Sequence, residues 1–374
     1  MLRRLLGGAA QHQALRIRQP IIGWYFAMRT FGKALLAFNA CCYLYALMRI
    51  LVRLPNWLGD LVMSTAMIRG LRQLHPHAQL QLVVKQELAA LVPYLADVNT
   101  CHVFSKNEWP GTKGAYRYGK MLAKQVGAID IFYCVPDSFS SAAMALGTGA
   151  RQRVGFKNEL RGWMLTQSYY KPKGLHRVEE YLWLLERHQG RKVPDAMVGL
   201  KRPTQPIAGR LIVNVNSEAE SRRLPVPKAI EIVKGLAGIP LKELVFIGSK
   251  KEVPHVQAVI EGLGSLPGIL NMAGKTDFPG LIELLSTGIA MLTTDSGPMH
   301  LANALGVHTI ALEGASDERN TAPYNHQKRT LIRYGQLPCE PCVKNVCKYG
   351  VPKCLMGMHS AIIAAAVHKA MLVG

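Results

Sequence analysis

At 374 residues the chain exceeds one ordinary domain and suffices for two, each able to bury a core without disulfides or metals. A hydrophobic share of 49% against 18% charged, with no low-complexity tract and no solenoid or propeller period, excludes disorder and repeat architectures. The formal net charge of +21 draws the protein toward polyanions, and with no helix-turn-helix, aromatic RNP pattern or long basic stripe beside it, lipid and phosphate partners rank above nucleic acid.

Residues 1–47 contain Arg but no Asp or Glu, and run into the apolar stretch that begins at Ala34 and ends at Met48. That stretch is shorter than the roughly 20 residues of a spanning helix. It reads either as a helix lying on a membrane surface or as an extension from an upstream start; its composition also resembles an organelle transit peptide. No secretory cleavage pattern precedes the folded part. The eight cysteines, with Cys41 and Cys42 adjacent, are therefore expected as free thiols in a reducing cytoplasm.

From residue 49 the run Arg-Ile-Leu-Val-Arg-Leu predicts a strand. A turn at Pro55-Asn56-Trp57-Leu58-Gly59-Asp60 leads into a helix with Met63, Met67, Leu71 and Leu74 on one face. A second strand, Leu80–Lys85, completes a βαβ unit and so implies a parallel sheet. Cys101–Phe104 and Asp130–Val135 are further strand candidates. Between about 187 and 210 the chain turns polar and proline-bearing, placing a domain junction that separates 48–205 from 206–374. Strands then recur at Leu211–Val215, Glu243–Gly248, Gly268–Asn271, Ile289–Thr293 and His308–Leu312, with helical segments between them. Two successive α/β domains of this type bind ligands beyond the carboxyl ends of their strands, so those loops hold the chemistry.

Three such loops carry reactive groups. Asp60 stands at the first strand-to-helix turn, where a carboxylate either caps the helix or, at a cleft mouth, takes a proton from a hydroxyl. Asp295-Ser296-Gly297-Pro298-Met299-His300 follows an apolar strand, and its helix start offers free N–H groups to a diphosphate; the alternatives are a capped helix without ligand and, for His300, a satisfied core histidine. Ser217, Arg222 and Arg223 lie in the loop after Leu211–Val215, where an Arg neutralises a leaving diphosphate or is merely solvated. Ala273-Gly274-Lys275-Thr276 lacks the P-loop spacing and reads as a turn, and no G-x-G-x-x-G follows the first strand, which argues against a dinucleotide oxidoreductase. Cys339, Cys342, Cys347 and Cys354 open with C-x-x-C and stand either as a structural zinc site of unusual spacing or as free thiols.

Taken in order, Asn56-Trp57-Leu58-Gly59-Asp60, Asp295 to His300 with Ala304-Leu305-Gly306, Thr321-Ala322-Pro323-Tyr324 and the cysteine cluster resemble glycosyltransferase family 9, the ADP-heptose:lipopolysaccharide heptosyltransferases, from about residue 49 almost to the end. The last two segments look more like the second heptosyltransferase of the pathway than the first. The resemblance implies a GT-B fold, with 48–205 on the acceptor side and 206–374 binding the nucleotide sugar, an inverting mechanism and no catalytic metal or other cofactor. It places Asp60 as general base, Asp295 at the donor sugar, and Ser296, Gly297, His300, Ser217 and Arg222 around the donor, with Glu252 near the nucleotide ribose. The implied partners are an ADP-sugar, a lipid A or inner-core lipopolysaccharide acceptor and an anionic membrane surface, at the cytoplasmic face of the bacterial inner membrane; no nucleic acid is implied. Where the family carries a Lys before Trp-Pro, this chain has Arg222-Arg223-Leu224-Pro225, which keeps the charge but changes its geometry. Gly314-Ala315-Ser316-Asp317 likewise departs from the family's Gly-Pro-Thr-Asp. The same architecture also hosts nucleotide-sugar epimerases, and a non-catalytic nucleotide-sugar-binding protein is the remaining alternative.

Overall fold

The computed structural model describes residues 48–373; the apolar stretch up to residue 47, with Cys41 and Cys42, lies outside them. Two six-stranded sheets form, every registered strand pair in both being parallel. In the first, β1 (Arg49–Arg53), β2 (Gln79–Lys85), β3 (Thr100–Phe104), β4 (Ile131–Cys134), β5 (Gln152–Phe156) and β6 (Gln167–Tyr169) lie in the order 3-2-1-4-5-6. The second comprises β7 (Arg210–Asn214), β8 (Glu243–Phe246), β9 (Ile269–Asn271), β10 (Ala290–Thr294), β11 (His308–Leu312) and β12 (Arg329–Ile332), in the order 12-11-10-7-8-9. Each is the doubly wound order, whose winding reverses between β1 and β4 and between β7 and β10. The loops leaving β1, β7 and β10 therefore open onto crevices built to take ligands.

The central strands are almost wholly buried, as parallel strands covered on both faces must be. After β1 the chain forms two short helices, α1 (Leu58–Met63) and α2 (Thr65–Leu74), instead of one continuous helix. The break has a local cause: the Ser64 and Thr65 hydroxyls donate to the Leu61 and Val62 carbonyls, each at 2.7 Å, and such back-bonding bends a helix. On the opposite face of the first sheet α3 (Gly111–Val126) crosses α4 (Phe139–Thr148). They approach so closely that a Cβ at Gly119 would stand 2.2 Å from the Met144 carbonyl oxygen, and one at Gly147 2.1 Å from that of Tyr116. Helix α5 (Arg177–Gln189) returns to pack on α2.

In the second sheet the strands from β7 to β11 are connected in turn by α6 (Val226–Lys234), α7 (Val253–Leu263), α8 (Phe278–Ser286) and α9 (Gly297–Ala304). One apolar cluster joins the two halves, holding Leu61 and Leu91 from the first with Ile282, Leu301 and Leu305 from the second. Fully burying a side chain of this size stabilises by roughly 1.5–3 kcal/mol. Strands β5, β6 and β12 are absent from the expectations read in the sequence.

Candidate active site

Strand β1 ends in Arg53, a buried guanidinium that donates to the Leu54 carbonyl and to Asn56 Oδ1, both at 2.6 Å, and so shapes the turn into α1. Burial pulls its pKa down to about 10. Trp57 occupies the N-cap of α1 in extended conformation and makes no side-chain cap. Asp60, in the first turn, does not cap either. Its Oδ1 stands 3.5 Å from Arg177 Nε and accepts from the Tyr181 hydroxyl at 3.5 Å, both partners coming from α5. Burial, reinforced by the charge on Asp60, drives the Tyr181 phenol well above its ordinary pKa, so it remains a donor.

Across from this carboxylate lies the switch point of the second sheet. Asp295 follows β10, its side chain 5% exposed, and its Oδ2 accepts from Arg222 at 2.7 Å. Ser217 donates its hydroxyl to the Asp295 carbonyl at 2.8 Å. Ser296 occupies the N-cap of α9 but makes no side-chain cap, because its Oγ takes the Asn214 amide at 2.9 Å instead. The first N–H groups of α9 are thus left without a side-chain acceptor, and a helix start in that condition favours an anion. Arg223 donates to the Ser217 carbonyl at 3.3 Å. Neither arginine is therefore a simple solvated loop residue.

Two glycines bring the halves together. A Cβ on Gly59 would meet His300 Cδ2 at 2.6 Å, and one on Gly297 would meet Leu58 Cδ2 at 2.7 Å. Helices α1 and α9 therefore touch start to start, each lending the other space where a side chain would be. His300 is buried in that contact, and burial lowers its pKa although Asp295 and Asp60 pull it upward. Asp60, Ser217, Arg222, Asp295, Ser296, Gly297 and His300 line one cavity of about 650 Å³, with Trp57 at its wall. An adjoining cavity of about 740 Å³ shares Leu58, Ser217, Glu218, Ser296 and Gly297 and extends to Lys250, Glu252 and Asp277. Glu252 lines this second cavity only, its Oε2 already accepting from the Ser249 N–H at 2.7 Å.

Three residues of the neighbourhood were not singled out in the sequence. Arg177 and Tyr181 reach Asp60 from more than a hundred residues away, and nothing local marks them. Glu313, after β11, is buried with its pKa pushed up to about 7 by burial and by the charge on Asp295; a lone acid ending an apolar strand is the only sequence signal it gives.

The four C-terminal cysteines, expected either as a structural zinc site or as free thiols, come together in the fold. Cys339, Cys342, Cys347 and Cys354 line one cavity of about 440 Å³, yet among the described residues no group of three or more His, Cys, Asp or Glu side chains is arranged to hold a metal. Cys347 directs its Sγ to the Val351 carbonyl at 3.4 Å. Burial first, and then Glu340, pushes the Cys354 thiol up to about 11. The Ala273–Thr276 segment, read as a turn, is one, and Asp277 beyond it caps α8 by accepting from the Gly280 N–H at 2.8 Å.

Two doubly wound parallel sheets whose strand-end loops face each other form the GT-B fold of one class of glycosyltransferases. The model of glycosyltransferase family 9 (heptosyltransferase) matches residues 119–209 and 240–352, and the chain belongs to that family. It is 26% identical over 310 residues to lipopolysaccharide heptosyltransferase 2 of Escherichia coli, covering 76% of this chain and 88% of that protein. Identity to a lipooligosaccharide heptosyltransferase 2 of Campylobacter jejuni is 25%, over 82% of this chain and 93% of the relative. Among solved structures, E. coli ADP-heptose lipopolysaccharide heptosyltransferase II superposes with a TM-score of 0.69 at 23% identity, covering 87% of this chain and 99% of that one. A family 9 glycosyltransferase from Veillonella parvula gives 0.74 at 20% identity, covering 87% and 98%.

Proposed function

We propose that this glycosyltransferase moves heptose from ADP-heptose onto a hydroxyl of an inner-core lipopolysaccharide acceptor, with inversion at the anomeric carbon. Residues 48–205 take the acceptor and 206–374 the donor. Asp60 removes the acceptor proton as the oxygen forms its bond to the anomeric carbon; the bond from that carbon to the diphosphate breaks on the opposite face, and ADP leaves with the electron pair. The diphosphate lies at the start of α9 against Ser296 and Gly297, with Arg222 countering its charge and Ser217 holding the loop. Asp295 and His300 border the donor sugar, and Glu252 the ribose end of the adjoining cavity.

One observation carries this reading: a carboxylate from the first half and an uncapped helix start from the second line the same cavity of about 650 Å³. The family relatives supply the sugar and the acceptor class. The strongly basic chain would work as a peripheral protein at the cytoplasmic face of the bacterial inner membrane; no described helix is long and apolar enough to cross one. Incubating the protein with ADP- and UDP-sugars and heptose-deficient lipopolysaccharide, then weighing the product and reading its anomeric configuration by NMR, tests the proposal. A mass gain of one heptose with inverted configuration is expected. Gain of a hexose, a retained configuration, or isomerised free nucleotide sugar would overturn it.

A further inference from the structure

Beyond β5 the chain makes a tight 3-10 turn, Glu159–Met164, before β6 begins. In a 3-10 helix residues three apart eclipse one another. Leu160 and Trp163 form one such pair, and they stand 79% and 67% exposed. Arg161 and Met164 form the other, each 1% exposed. The turn is thus sorted into an inner face that anchors and an outer face that projects two large apolar side chains into solvent.

The anchoring is elaborate for a surface loop. Arg161 donates to the Pro136 and Ser138 carbonyls at 2.7 and 2.9 Å and to Ser141 Oγ at 3.2 Å. Its guanidinium occupies space that any side chain at Gly155 would take, since a Cβ there would stand 2.7 Å from Nη2. A rigid base therefore holds Leu160 and Trp163 outward. Tyr170, 74% exposed, extends the patch: the Lys157 ammonium lies 4.8 Å from its ring centre and 3.0 Å from its hydroxyl. Lys157 in turn brings its Cγ within 3.8 Å of where a Cβ on Gly162 would be.

The surroundings are basic. Besides the buried Arg161, residues 151–173 contain Arg151, Arg153, Lys157, Lys171 and Lys173 against a single acid, Glu159. Exposed Trp, Tyr and Leu fringed by lysine is the composition that settles at the headgroup and acyl boundary of a bilayer, where the rings bury and the cations meet anionic lipid. A purely solvated loop would have no use for the apolar pair.

We infer that the Leu160, Trp163 and Tyr170 face of this turn is the surface by which the protein docks on an anionic bilayer, resting on the membrane-peripheral reading given above. Its position fits. Because the first sheet is parallel, the turn after β5 shares a rim with Asp60 after β1. A run of polar contacts joins them: Asn158 donates to the Asp137 carbonyl at 3.4 Å, Lys171 bridges Asp137 and Glu180 at 3.3 and 3.1 Å, and Arg177 bridges Glu180 and Asp60 at 2.9 and 3.5 Å. Docking by this turn sets the acceptor side of the cleft against the lipid surface.

The test uses the full chain and vesicles of phosphatidylcholine alone or mixed with phosphatidylglycerol, without sugar donor or acceptor. The parent should co-sediment with the anionic vesicles, and Leu160→Ser/Trp163→Ser should partition about tenfold or more weakly, with an unchanged melting curve. Quenching of tryptophan emission by brominated lipid should fall markedly in Trp163→Phe, a change that an exposed site tolerates. Undiminished vesicle binding by the double variant, or quenching undiminished in Trp163→Phe, would overturn the assignment while leaving membrane association itself standing. A parent that binds no vesicles would sink both, and a dimer abolished by the same substitutions without vesicle binding would give the patch to a second copy of the chain. None of these results depends on catalysis, so the proposed sugar transfer stands or falls separately.

Discussion

Replacing Gly59 by Ala adds one methyl group at the contact between α1 and α9. Carbon atoms in contact sit about 3.5–4.0 Å apart, whereas the new methyl would stand 2.6 Å from His300 Cδ2. One partner must therefore move by roughly 1 Å. His300 is buried, and the reciprocal contact of Gly297 with Leu58 leaves the helices no slack on the other side. Overpacking of this kind costs roughly 1–3 kcal/mol. The residue carried along by a shifted α1 is Asp60, and a misplacement of about 1 Å at a reacting group costs about a hundredfold in rate. Urea unfolding and the kcat/KM of sugar transfer should both register the change. Gly162→Ala is the control, its methyl meeting only ordinary contacts at 3.8 Å. If Gly59→Ala stayed within about 0.5 kcal/mol and about twofold of the parent, as a neutral surface change would, the close approach of the two helix starts would not matter as argued.

Further outcomes follow from the buried titrating groups and the buried ion pair. His176 accepts from the Val178 N–H and faces the Ala322 carbonyl, and burial lowers its pKa to about 4. The neutral ring therefore contributes stability that is present above about pH 6.5 and lost as pH falls toward 4; relative to His176→Asn, the parent should lose up to about 3 kcal/mol across that window in urea titrations. Glu313 works in the opposite sense. Its raised pKa, about 7, makes folding take up a proton, so the parent should lose stability relative to Glu313→Gln as pH rises from about 4.5 to 7, by roughly 1–3 kcal/mol at pH 8; a parent that gains on the variant over this range would contradict the burial argument. Arg222→Ala strands the Asp295 carboxylate in a buried setting and should destabilise by about 3 kcal/mol. Adding Asp295→Asn should recover much of that loss, a double-mutant cycle being the measurement.

Much of the fold is legible because its central strands are fully buried and read as unbroken apolar runs. β1, β7, β10 and β11 announce themselves this way, and the reactive loops at their carboxyl ends follow from strand direction alone. Three strands escape for physical reasons. β6 and β12 are edge strands of only three and four residues, and β5 (Gln-Arg-Val-Gly-Phe) carries a glycine that admits Arg161. The break at Ser64 is hidden inside a convincing helical stripe, since the Met63, Met67, Leu71 and Leu74 period runs across it. Around the cavity, Asp60, Ser217, Arg222 and Asp295 are readable from their places after strands. Their partners Arg177, Tyr181 and Glu313 are not, because long-range pairing leaves no local trace. The cysteine cluster is legible as a cluster from its spacing: the fold brings all four thiols to one cavity, although no three of them are arranged to hold a metal among the described residues.

The role of Asp60 is tested most directly by the pH dependence of kcat for Asp60→Asn, with circular dichroism and melting confirming the fold. A general base at this position predicts a rate lower by about 10²–10⁴ in Asp60→Asn and a pH profile of different shape from the parent's. Transfer at the parental rate with the parental pH profile would mean that the proton goes to another group, and that the cavity between α1 and α9 serves some other step.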